Sequence, residues 1–288
     1  MHYTIIANPV AGTLNADQKR SVLAPAAALL KADIRGLDTT TVHEFACCAQ
    51  EAAEHCDVLT VAGGDGTLSE IINCIDTAAK TIAYLPLGSG NAMRYALKYK
   101  GGLCDIAARI RDSNVSVYDL IQCDNQKRAF MASIGIDGQV IRLRDQFRKK
   151  GISGFKSYFK AIPQAYFGSY LPPDARMAID GHETGMKKVL SLIVTKQPYF
   201  GFGMQVAPRA QFDDHKLHIV CIHSGIPQSL IGWATSFTIG NRTGRHSSGR
   251  KLRVQLKQPS ILQIDGDAGW YGDAFAFEVL PGALRIKC

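Results

Sequence analysis

The densest chemistry in the chain lies in Ala62-Gly63-Gly64-Asp65-Gly66-Thr67-Leu68-Ser69-Glu70, where glycines sit between an apolar run and a helical pattern. Glycine lets backbone N–H groups come close to an anion, and the N-terminus of a following helix adds partial positive charge, so this spacing suits phosphate. Asp65 beside a polyanion then calls for a cation or a hydroxyl proton as its partner. A second pair of carboxylates, Asp265-Gly266-Asp267, follows the apolar run Ile261–Ile264. Phosphoryl transfer asks a protein for charge neutralisation and a positioned hydroxyl, and carboxylates serve both. Taken alone, Asp-Gly-Asp also reads as a tight turn between strands.

The apolar pattern supplies a frame for these residues. Tyr3–Ala7 is a short buried strand ended by Asn8-Pro9-Val10-Ala11-Gly12, and residues 17–32 and 44–55 repeat at helical spacing. Val58–Ala62 is a strand running into the glycines, with a helix from Leu68 to Ile75 behind it. Strands at 82–85 and 117–123 flank a helix around 93–99. This alternation predicts an open, mainly parallel α/β sheet, whose loop ends are where ligands bind. Past about residue 125, segments rich in Val, Ile and Phe at 189–195, 217–222, 252–256, 261–264 and 275–280 alternate with Gly and Pro. They predict an all-β second half, an antiparallel sandwich or barrel. The division expected is an α/β domain over 1–124 and a β-sandwich domain over 125–288. Residues 154–168 carry aromatics every three or four positions and read as a helix broken near Pro163.

At 288 residues the chain is long enough for two domains, and 46% apolar with 20% charged residues excludes a disordered or fibrous class. No run reaches the roughly 18 apolar residues of a membrane span, so a cytoplasmic location is expected. The cysteines show no metal-ligand spacing and read as reduced thiols. Net charge is +8, concentrated at 142–151 and 242–253. Runs of this kind suit an anionic partner, whether nucleic acid, a phosphate-bearing ligand or an anionic membrane face, and each taken alone reads equally well as a solvated charged face.

The glycine loop with Glu70 downstream resembles the signature of the diacylglycerol kinase catalytic-domain family, shared in part with NAD kinases and 6-phosphofructokinases. Asn8-Pro9-Val10-Ala11-Gly12 is similar to the family's opening N-P-x-[SA]-G, and Leu85–Asn91 to its P-x-G-[ST]-[AG]-N. FMASIGIDG at 130–138 and the segment 198–217 are similar to two further motifs, and Asp265-Gly266-Asp267 stands where the family carries D-G-E. These landmarks cover nearly the whole chain.

The resemblance implies Mg2+-ATP as phosphate donor and a membrane lipid of diacylglycerol or sphingoid type as acceptor, with nucleotide between the two domains. It implies that Asn8, Thr40, Gly63, Gly64, Gly66, Thr67 and Glu70 hold ATP, and that Gly88, Ser89 and Asn91 complete the pocket. Thr40 is selected from its neighbours Thr39 and Thr41 by spacing alone. Asp265 is the first choice for general base and Asp65 its rival, with Asp267 orienting a metal or its water. Asp213, Asp214 and Leu217 match a region where bacterial relatives hold a structural magnesium, and a plain β-turn reads them equally well. Departures from the family pattern are Ala92 after Asn91, His215 where the family has glycine, and Asp267 for Glu. The expectation is a lipid kinase peripheral at an anionic membrane surface, with no nucleic-acid partner and homodimer assembly left open. The alternatives are a kinase of a soluble substrate such as NAD, and a weakly active lipid- or nucleotide-binding regulator. Residues 154–168, with the basic run before them, are expected at the mouth through which a lipid chain enters.

Overall fold

The structure, a computed structural model, describes residues 1–152, 155–168, 171–223 and 226–288. The chain divides into two compact units, one of Met1–Asp119 with Pro281–Cys288, the other of Leu120–Leu280.

The first unit is α/β. Its elements are β1 (Tyr3–Ala7), α1 (Ala16–Leu30), β2 (Asp33–Arg35), α2 (Val42–Glu54), β3 (Val58–Gly63), α3 (Asp65–Cys74), β4 (Thr81–Pro86), α4 (Ala92–Ala96) and α5 (Leu103–Asp112). β5 (Val115–Cys123) leads out of it. β1 pairs in parallel with β2 and β3, and β3 in parallel with β4. β1, β3 and all but the first residue of β4 are buried, as expected of a sheet covered on both faces. Helix starts follow local chemistry. Asn15 and Gln18 form a reciprocal capping box on α1, and Thr41 Oγ1 accepts the Glu44 N–H at α2. The helix expected at 93–99 is the short α4, closed at Leu97 and Lys98, where the chain turns left-handed. α5, unread in the sequence, is a full helix.

The second unit is a β-sandwich with three helices. It comprises β6 (Lys127–Ala129), β7 (Met131–Gly135), α6 (Ile136–Lys149), α7 (Phe155–Phe167), β8 (Ala175–Ile179), β9 (His182–Met186) and β10 (Ser191–Thr195). β11 (Leu217–Ile222), α8 (Ile226–Ser236), β12 (Arg245–Gly249), β13 (Lys251–Ile264) and β14 (Asp267–Lys287) complete it, the end of β14 belonging to the first unit. β12, β11, β10, β7 and β13 form an antiparallel series. The two runs expected at 252–256 and 261–264 are the one long strand β13. Its first half pairs with β8 and its second with β7, and the register shifts between Gln255 and Ser260, where Pro259 cannot donate to a ladder. Each strand half thus serves a different layer around a core that includes Leu192, Leu217, Leu252 and Phe277. α7 runs through Pro163 without a break. The side chains of Phe155, Tyr158, Phe159, Tyr166 and Phe167, on which the expected chain-entry mouth rests, lie outside the described residues, as does Gly154.

Candidate active site

In the first unit three loops meet at the C-terminal ends of β1, β3 and β4. Backbone bonds tie them: Asn8 N–H to Ala62 O at 3.1 Å, Leu87 N–H to Gly63 O at 2.8 Å and Gly88 N–H to Gly63 O at 3.2 Å. Glycine is required by crowding. A Cβ on Gly63 would lie 2.5 Å from Thr67 Oγ1, and one on Gly88 would strike Gly64 Cα. Gly64 opens α3 with no side chain of its own to cap that helix. Asn8 Nδ2 donates to Thr67 Oγ1 at 3.1 Å, and Asn91 Nδ2 to Gly88 O at 2.6 Å. Asn91 itself is left-handed at φ 43° and accepts from Tyr84 Oη. Asn8, Gly63, Gly64, Thr67, Gly88 and Asn91 are therefore one cluster, Gly66 and Glu70 follow on α3, and Ser89 is exposed at the tip of the third loop. Thr40 lies in the turn between β2 and α2, where its hydroxyl and N–H both donate to Glu44 Oε2.

Asp65 clamps two of these loops together. Its oxygens accept the N–H groups of Ala92 at 2.8 Å and Met93 at 3.1 Å, the first turn of α4. Burial raises its pKa, with those amides pulling the other way. Lys19, which the sequence reading passed over, is fully buried on α1 and donates its Nζ to the carbonyls of Asn8 and Pro9. Burial lowers its pKa. The only sequence signal was a lysine on the apolar face of a helix.

In the second unit, Asp265 ends β13 in a left-handed turn at φ 48°. Its Oδ1 accepts the N–H groups of Phe130 at 3.0 Å and Met131 at 2.9 Å, which fixes the carboxylate plane. Arg144 of α6 holds the next residues, donating Nη1 to Gly266 O at 2.6 Å with Nη2 3.5 Å from Asp267. The Arg144 side chain is 7% exposed. One member of the basic run 142–151 is thus an internal brace of the Asp-Gly-Asp turn and not a surface charge. Asp267 itself is exposed.

A large cavity lies within this same unit, with an empty volume of about 920 Å³. Ile141, Ile162, Leu190, Ile193, Met204 and Val206 contribute its apolar wall. Its polar groups are few. Asp137 accepts from Ser191 Oγ, and burial pushes the Asp137 pKa up to about 6. Gln263, two residues before Asp265, also faces the cavity, and its buried Nε2 has no hydrogen-bond partner.

Of the expected magnesium ligands, Asp214 is taken up by other groups. Asp214 Oδ1 takes the Lys196 ammonium at 2.6 Å and Oδ2 takes His218 Nε2 at 2.8 Å. Lys196 is wholly buried and also donates to Lys216 O at 2.8 Å, so an ammonium stands where a cation was expected. Among the described residues no group of three or more His, Cys, Asp or Glu side chains converges to hold a metal ion.

Residues 2–123 match the diacylglycerol kinase catalytic domain, and residues 131–288 match the YegS C-terminal NAD kinase beta sandwich-like domain. The chain belongs to this family of lipid kinases, phosphotransferases with an alcohol acceptor. Among its relatives, a probable YegS-like lipid kinase of Stenotrophomonas maltophilia is 26% identical over 259 residues, covering 82% of this chain and 80% of the relative. An uncharacterised protein of Synechocystis is 23% identical over 76% of this chain, which spans about half, 52%, of that protein's length. A diacylglycerol kinase structure from Bacillus anthracis superposes with a TM-score of 0.78 at 20% identity, covering 99% and 96% of the two chains. An NAD kinase from Archaeoglobus fulgidus, solved with ATP, shares the fold at a TM-score of 0.54 and 11% identity, over 100% and 94% of the two chains.

Proposed function

We propose that the chain transfers the γ-phosphate of ATP to the hydroxyl of a lipid of diacylglycerol or sphingoid type, acting as a peripheral protein at a membrane surface. The cavity of the second unit carries this reading. It is walled by apolar side chains and carries only a few polar groups, which suits a hydrocarbon chain with a polar end and not a dinucleotide. Gln263, whose amide oxygen accepts from Ser133 Oγ while its Nε2 has no partner, lines that cavity two residues from Asp265.

In this reading the glycine loops and the N-terminus of α3 cradle the phosphates, with Asn8, Thr67, Gly88 and Asn91 shaping the cradle. Asp265 takes the proton of the lipid hydroxyl on its carboxylate, which the amides of Phe130 and Met131 hold in place. Asp65 positions the second and third loops. Charge neutralisation at the phosphates would be supplied by Mg2+ bound with ATP, an ion that binds through phosphate oxygens and few protein carboxylates. Arg144 keeps Asp265-Gly266-Asp267 in place.

Radiolabelled ATP offered with diacylglycerol, monoacylglycerol, sphingosine, ceramide, phosphatidylglycerol and NAD tests the reading. Label is expected in a lipid and absent from NAD. Label in NAD alone would replace the lipid reading with that of a soluble-substrate kinase.

A further inference from the structure

Four large apolar side chains stand in solvent within nine residues at the end of α8 and the turn after it: Ile231 is 56% exposed, Trp233 40%, Phe237 42% and Ile239 61%. Trp233 and Phe237 are one helical turn apart and touch edge to face, with ring centroids 5.4 Å apart. Leaving such groups in water costs free energy that a partner would recover. Trp233 also lines the apolar cavity, together with Gly232, Ser236 and Asn241 of the same segment. The exposed patch and the cavity wall are thus continuous at one indole ring.

The charge around the patch is of one sign. Exposed Arg242 and Arg245 follow it directly, and Asn241 N–H bonds Gln205 O, bringing the loop of exposed Arg209 alongside. Arg209 is close enough to contribute to the lowered pKa of His246, after burial. No Asp or Glu occurs between Lys216 and Ile264. Apolar side chains with a tryptophan among them and a cationic rim match the boundary between headgroups and acyl chains of an anionic leaflet. A second copy of this chain fits poorly, because a two-fold contact through the patch sets it against itself and brings like arginines together.

We infer that the part of α8 from Ile231 onward and the turn through Arg245 are the surface by which the second unit docks on an anionic phospholipid bilayer, with Trp233 at the doorway from bilayer to cavity. This rests on the lipid-kinase reading for its purpose, though not for its geometry. The doorway differs from the one that residues 154–168 were expected to form.

The chain has two tryptophans, Trp233 and Trp270, so Trp270→Phe leaves Trp233 as the sole reporter. This variant is mixed with phosphatidylglycerol vesicles and with phosphatidylcholine vesicles, each with acyl chains brominated near the headgroup. The expected result is a blue shift and quenching of Trp233 on the anionic vesicles only. With Arg242→Glu and Arg245→Glu together, binding should be at least about tenfold weaker at low salt. Phe237→Ser, followed by the same quenching, guards against a charge variant that fails to fold, and it too should weaken binding. Co-sedimentation with anionic vesicles without quenching of Trp233 would place docking elsewhere and overturn the inference. A stable dimer that Phe237→Ser dissolves would overturn it in favour of a second copy. Quenching without phosphorylation of any lipid would leave the docking surface standing and remove the substrate reading, while turnover of detergent-dispersed lipid without quenching would do the reverse.

Discussion

In the first unit the loops after β1, β3 and β4 are joined main chain to main chain, with Asp65, Asn8 and Lys19 adding side-chain ties over shorter spans, whereas in the second unit the Asp265 turn is held by side chains that reach further across the sequence. Gly63 O takes two N–H groups of the third loop, and the glycines are where a Cβ would collide. Asp265, by contrast, reaches Phe130 and Met131 across more than 130 residues of chain, and Arg144 reaches Gly266 across 122. A phosphate is the same for every substrate and can be met by backbone. An acyl chain, the occupant proposed for the cavity, would have only volume and polarity to be recognised, which replaceable apolar side chains can supply.

The sharpest division of labour should appear with Asp265→Asn. Turnover is expected to fall about 10²–10⁴-fold, the usual contribution of a general base, with ATP affinity unchanged in a binding titration. Loss of ATP binding with normal turnover at saturation would erase the distinction between the units and hand the proton to Asp65.

Next in size is Lys196→Met, which removes the ammonium from Asp214. Breaking a buried pair costs about 3–5 kcal/mol, and Asp214 keeps 23% exposure, so a loss near the lower figure is expected in denaturant unfolding. The parent protein's melting temperature should be indifferent to Mg2+ and to chelator. A metal-dependent rise in the parent would show that a cation displaces Lys196.

Gly88→Ala tests the opposite side. The added methyl strikes Gly64 Cα, and overpacking of this kind costs about 1–3 kcal/mol. ATP affinity should fall, measured by titration, while Trp233 quenching on vesicles stays as it was.

The smallest effect concerns pH. Asp137, at about 6 in the folded chain against 3.8 for an ordinary carboxyl, holds its proton more tightly when folded. The folded state therefore binds more protons between about pH 4 and 6, and stability falls as pH rises through that window. Asp137→Asn should flatten this slope, by about 2 kcal/mol given that the side chain borders an open cavity. An unchanged slope in unfolding curves from pH 4 to 7 would remove Asp137 as its source.

The first unit's glycines were legible because steric crowding admits one residue type, and a strand-to-helix junction announces them. Lys19 escaped because its meaning depends on burial, and a lysine in a helix is ordinarily a surface residue. Arg144 escaped in the same way, hidden in a run that reads as exposed charge. The cavity left no signature at all: its lining residues are the apolar positions any β-sandwich core requires. β13 looked like two strands because Pro259 interrupts one, and α8 was unread between strands whose pattern dominated the segment. Thr40 and Asp214 show the converse case, in which spacing matched while the side chain also has partners of its own, Glu44 for Thr40 and Lys196 with His218 for Asp214.

The return of Pro281–Cys288 to the first unit bears on how the protein is made. Arg285–Lys287 pair in parallel with Thr81–Ala83, Leu284 and Ile286 are fully buried, and Lys287 Nζ donates to the carbonyls of Arg111 and Ser113. A ribosome adding about 5–20 residues per second finishes β4 long before this closing strand emerges. For roughly ten to thirty seconds the nascent first unit waits with an unpaired β4 edge while all of Leu120–Leu280 is synthesised. Closure of the first unit's sheet is thus gated by synthesis of the whole second unit, and until Arg285–Lys287 emerge the β4 edge stays open to whatever it meets first.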